Sequence, residues 1–71
     1  MKVVIKVKFK ASREKFENFG GERYLAYVPF EDGQDSANAL MELLSRHLGV
    51  VQTKIEFIDK DINKNWVFVV N

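Results

Sequence analysis

Residues 2 to 10 alternate, with Val3, Ile5, Val7 and Phe9 on one side and Lys2, Lys6, Lys8 and Lys10 on the other. Side chains two apart share a face of a strand, so this segment predicts a half-buried strand with a lysine ladder on its wet side. Ser12 offers a helix N-cap, and Phe16 and Phe19 are spaced like one face of a helical turn. Residues 12–19 therefore read as a short turn or helix, closed by Gly20-Gly21. Residues 23–30 are aromatic and apolar and predict a second strand, ended by Pro29, which has no N–H for a ladder. With the glycine pair between them, the first two strands are expected to pair antiparallel.

The clearest periodicity follows a loop marked by Asp32-Gly33. Ala37, Leu40, Met41, Leu44 and Leu48 recur at helical spacing, and Leu40, Leu44 and Leu48 are expected to pack on Val3, Ile5 and Val7. Asp35 or Ser36 is available as N-cap, and Gly49 stands where a left-handed C-terminal cap belongs. Thr53 to Asp59 predicts a third strand with Ile55 and Phe57 on one face, and the apolar run from Trp66 to Val70 predicts a buried last strand. The order strand, strand, helix, strand, strand describes an α+β fold. Its two layers are a four-stranded, mostly antiparallel sheet and one main helix.

Several segments resemble the YggU-like family of small uncharacterised proteins. Lys8-Phe9-Lys10-Ala11-Ser12-Arg13 is similar to that family's Lys-Pro-x-Ala-Ser-Arg segment, and Val28-Pro29-Phe30-Glu31-Asp32-Gly33 followed by Ala37-Asn38-Ala39-Leu40 resembles its strand end and Gly-Lys-Ala-Asn helix entrance. Asn63-Lys64-Asn65-Trp66-Val67 falls where the family has Ser-Arg-x-Lys, with Lys64 keeping the charge of the arginine and Trp66 replacing the lysine. The resemblance implies the same order of elements, a single domain over residues 1–71, and no established activity.

Composition narrows the classes of chemistry. At 71 residues, 46% hydrophobic and 13% aromatic, the chain has the apolar material for one folded core. Eleven basic residues against ten acidic ones leave a formal charge of +1, so net charge alone points to no polyanion or membrane partner. The absence of cysteine excludes disulfides, thiolate nucleophiles and Cys-ligated zinc. With Lys6, Lys8 and Lys10 interrupting the early apolar run and no long apolar stretch, the expectation is a cytoplasmic protein without a signal peptide or membrane contact.

The candidate sites are few. His47, the only histidine, suits a helix C-terminus, where a positive imidazole meets the negative end of the helix dipole. No thiol or triad accompanies it, so an enzyme is the third-ranked reading. Glu31, Asp32 and Asp35 invite a hard cation, but their spacing matches no EF-hand loop, and no metal or cofactor is expected. The entrance motif Asp32, Gly33 and Asn38 reads as structural. Asn38 is expected to hydrogen-bond the preceding loop, and Gly33 to permit a tight bend, with a positive φ as one way to make it.

The lysine ladder is the remaining feature. Lys6, Lys8 and Lys10, extended by Arg13 and Lys64, are the candidate binding residues, and Tyr24 or Tyr27 stands among them according to register. Basic and aromatic groups on an open sheet hold single-stranded RNA or DNA, or an acidic protein. A two-layer domain also needs one wet sheet face, so the alternative is a structural or protein-interaction domain without nucleic-acid binding.

Overall fold

Alternation in β1 (Lys2–Lys8) does what the pattern predicts: Val3 and Ile5 are fully buried, while Lys2, Lys6 and Lys8 are exposed. The computed structural model describes residues Met1–Asn71 and places β1 at the centre of an α+β fold. The elements that follow are β2 (Lys15–Asn18), β3 (Arg23–Tyr27), α1 (Ser36–Leu48), a 3₁₀ turn over Gln52–Lys54, β4 (Ile55–Lys60) and β5 (Trp66–Val70). The sheet has five strands in the order β2-β3-β1-β5-β4 rather than the four expected.

The additional strand, β2, lies in the stretch read as turn or helix. Phe16 faces inward, stacking on Tyr24 at 5.0 Å and on His47 at 4.5 Å between ring centroids, while Phe19 beyond the strand is 64% exposed. Their spacing thus belongs to a strand and its turn, with the two rings on opposite sides. The turn itself is built by Gly20 and Gly21, at φ +106° and +58°. Asn18 braces it, donating from its amide to the Gly21 carbonyl and accepting the Gly20 N–H.

The glycine pair therefore makes an antiparallel hairpin, but between β2 and β3. β1 and β3 are parallel, with Val4 opposite Arg23 and Lys8 opposite Tyr27, which corrects the expected antiparallel pairing. The physical cause is the connection after β1. Lys10 turns into the left-handed region at φ +58°, the Lys10 N–H donates to Phe30 and the Ala11 N–H to Val28. This carries the chain past the end of β3 to its far side. β2 runs back there, and β3 returns between them in the direction of β1.

On the inner face, Leu40, Leu43 and Leu44 of α1 join Val3, Ile5, Trp66, Phe68 and Val70 in one core. Leu43 takes the buried place expected of Leu48, which is only partly covered. Gly49 caps the helix at φ +69°, donating its N–H to the Ser45 carbonyl. At the other end Asp35 makes no side-chain cap bond. β4 begins at Ile55 because residues 52–54 form the 3₁₀ turn, and a bulge between Phe57 and Asp59 leaves Ile58 half-exposed. No helix is long and apolar enough to cross a membrane.

Candidate functional site

The helix covers one face of the sheet, and the other face is open. Register assigns its side chains. Lys8 lies beside Tyr27, which lies beside Lys15; Lys6 lies beside Leu25, which lies beside Glu17; Val4 lies between Arg23 and Val67; Lys2 lies beside Val69. Residues directly opposite in neighbouring strands point to the same side, so Lys2, Lys6, Lys8, Lys15 and Arg23 share one surface with Tyr27. Tyr24, opposite Ile5, belongs to the core side. The Lys15 ammonium stands 5.9 Å from the centre of the Tyr27 ring and 3.8 Å from Glu17. Toward the β4 edge the sign reverses, where Glu56 and Asp59 flank Val69 and Val67.

This face is concave at one end. A groove of about 550 Å³ runs between the β2–β3 turn and the β4–β5 loop, lined by Val4, Lys6, Phe19, Arg23, Asn63 and Asn65 together with Tyr24. Both walls are held by local hydrogen bonds. The Phe19 N–H donates to the Arg23 carbonyl at 2.8 Å, fixing the backbone that carries the exposed ring. In the opposite wall the Asp61 carboxylate accepts the N–H groups of Asn63 and Asn65 at 2.9 Å and the Asn65 amide at 3.3 Å. The Asn65 N–H is the main cause that holds the Asp61 carboxyl below its ordinary range. Partial desolvation opposes it, while Asn63 and the nearby Arg23 charge add to it. Lys64 adopts φ +64° at the bend of this loop.

The predicted residues distribute unevenly over this geometry. Lys6 lines the groove, Lys8 lies two residues further along the same face, and Lys64 sits in the loop that forms the far wall. Lys10 leaves the ladder at its left-handed turn, and its ammonium pairs with Glu31 at 3.3 Å. Arg13 is exposed in the connection to β2. The sequence pattern does not mark Lys15, Arg23, Phe19, Asn63 or Asn65 as site residues. Their convergence follows from β2 and from the parallel β1–β3 register, and the one sequence signal for it is the alternation of Arg23, Leu25 and Tyr27.

The helix-entrance motif forms a separate structure. Ser36, buried at 3% exposure, accepts the Gly33 N–H at 2.8 Å and donates to Asp32 at 2.9 Å. This hydroxyl makes the loop bond expected of Asn38, which is exposed, and it secures the bend without a positive φ at Gly33. Two of the clustered carboxylates are already paired, Glu31 with Lys10 and Asp32 with Lys60 at 3.5 Å. His47 stacks on Phe16 and stands 4.0 Å from Glu14, a packing position on the helix side of the sheet. Trp66 is buried against Phe9 and Phe57, with the Lys60 ammonium 4.3 Å from its ring centre.

Comparison with protein-family models, with curated proteins and with solved structures finds no match to this chain.

Proposed function

We propose that this protein is a small binding module whose open sheet face holds single-stranded nucleic acid, RNA or DNA. The observation that carries the reading is the row of Lys2, Lys6, Lys8, Lys15 and Arg23 on one sheet face that no helix covers, with Tyr27 between Lys8 and Lys15. A net charge of +1 conceals this row of cations, because many of the compensating carboxylates lie away from it. Glu56 and Asp59 stand at the β4 edge, Glu31 and Asp32 around the helix entrance, and Glu14 and Glu42 beside Arg46, while Glu17 stands on the face itself and pairs with Lys15. Phosphates would lie along the cations, with bases free to stack on the aromatic rings. Lys64, in the loop of the groove's far wall, and the exposed Arg13 are further candidate phosphate contacts, and Lys10 stays with Glu31.

The test is fluorescence anisotropy with a labelled single-stranded oligonucleotide across a salt series. On single strands, each phosphate neutralised contributes about −0.7 to the slope of log affinity against log salt. The Lys6→Glu, Lys8→Glu double variant should bind more weakly while keeping its far-ultraviolet spectrum. Absence of binding to RNA and DNA single strands at low salt refutes the proposal.

The same cations favour a second reading, contact with an acidic protein segment, and a polyglutamate probe in the same titration separates the two. A cytoplasmic setting is part of the proposal, and fractionation of the expressing cells tests it. The YggU-like resemblance is carried forward in the same way. An experimental structure that superposes on a YggU-like sheet and helix supports it, and a different strand order there rejects it.

A further inference from the structure

We infer that the groove beside Val4 is a nucleotide subsite, which takes one unpaired base of the bound strand against Phe19 and its phosphate on Arg23 and Lys6. This inference rests on the proposed binding of single-stranded nucleic acid by the same face. The groove, at about 550 Å³, has room for one nucleotide; ordinary small-ligand clefts span about 300–1,000 Å³.

Its chemistry is divided as a nucleotide requires. Val4 and the Phe19 ring supply the apolar surface on which a base can stack, and every base has a π face for such a contact. Phe19 is 64% exposed, although eleven other apolar residues of the chain close into a core. Its position is set beforehand by the braced Gly20-Gly21 turn and by the bond from its N–H to Arg23, so little ordering remains to be done on binding. Lys6 and Arg23 provide charge complementary to a phosphate, and Arg can meet it with two parallel N–H bonds.

Two further details fit the same occupant. The hydrogen bond from Asn63 to Asp61 comes from its backbone N–H, which leaves its side-chain amide as a donor and acceptor for a base edge. The Asp61 carboxylate, which feels the Arg23 charge, is already occupied by the N–H groups of its own loop. An incoming phosphate therefore meets a carboxylate whose oxygens point into the loop's donors. A duplex does not satisfy this site, because its bases are stacked on one another and closed to the Phe19 ring.

The experiment compares a normal single-stranded oligonucleotide with an abasic strand of equal length, on wild type and on Phe19→Ala. The abasic strand keeps every phosphate and loses the stack, so wild type should bind it about tenfold or more weakly. Phe19→Ala should lose most of the preference for the base-bearing strand, keeping only what stacking on Tyr27 supplies, with the salt slope unchanged, because phosphate contacts are untouched. Phe19→Tyr, which keeps a ring, should restore the preference for the base-bearing strand. If wild type binds both strands equally, the subsite is refuted while the basic face stands. If Phe19→Ala retains the wild-type preference, the subsite is refuted at Phe19. If wild type binds neither strand at low salt, both readings fall together.

Discussion

Replacing Leu44 by alanine removes an isopropyl group from a side chain with no solvent exposure. That side chain belongs to the same core as Leu40, Leu43, Val3, Ile5 and Phe68. At about 0.8 kcal/mol per buried carbon, lost transfer alone costs about 2.5 kcal/mol. The sheet below and the helix backbone above cannot close fully over the hole, and the cavity raises the total to about 2–5 kcal/mol. A chain of 71 residues holds about 4–10 kcal/mol in all, so Leu44→Ala removes a large part of the stability. Urea titration followed by circular dichroism measures this as a lower midpoint at unchanged slope. Leu48→Ala is the control: its side chain is partly exposed and its loss should be clearly smaller, whereas Leu43→Ala should rank with Leu44. A Leu44→Ala cost within about 0.5 kcal/mol, the range of surface substitutions, would refute this packing. So would a Leu48→Ala cost above that of Leu43→Ala.

Two further outcomes test local geometry. Gly49→Ala places a Cβ where no atom lies within 4 Å, so its effect is purely backbone; holding alanine in the left-handed region should cost about 1–2 kcal/mol. A melting temperature equal to wild type would reject the left-handed cap. Asp61 is held below its ordinary value of 3.8, so the stability it contributes is complete above that value and is lost as pH falls through the lower folded one. The protection of the Asn63 and Asn65 amides against exchange, taken relative to the intrinsic rate at each pH, should fall on acidification in that window and lose this pH response in Asp61→Ala; identical protection profiles in the two proteins would reject the loop clamp.

Much of the architecture is legible in the residues, and the failures have physical causes. β1, α1 and β5 carry long, consistent patterns, and each is found within a residue or two of its predicted place. β2 is only four residues long and has one apolar inward side chain, Phe16, so its alternation is too short to read. Phe16 and Phe19, three apart, then imitate a helical stripe. The Gly20-Gly21 signal is a correct turn signal, but a turn names no partner, and the strand before it is too short to announce itself. From that one omission follow the wrong β1–β3 direction and the absence of Lys15, Arg23 and Phe19 from the expected site. Lys10 fails for a different reason: alternation assumes extended backbone, which ends where Lys10 turns to φ +58°. The loop bond expected of Asn38 is made instead by the hydroxyl of Ser36, from a better position.

The central place of β1 has a kinetic consequence. One neighbour, β3, lies nearby in the chain, but the other, β5, is almost the full length of the chain away. Loop-closure entropy grows only by about 0.6 kcal/mol for each doubling of loop length, so the finished fold tolerates this arrangement. The rate does not, because distant pairings must be found before they are rewarded, and such topologies fold slowly for their size. During synthesis β1 leaves the ribosome before β5 and waits for Trp66 to Val70, the segment that completes its ladder. In that interval Val3 and Ile5, which are fully buried in the finished fold, lack the strand that completes their cover.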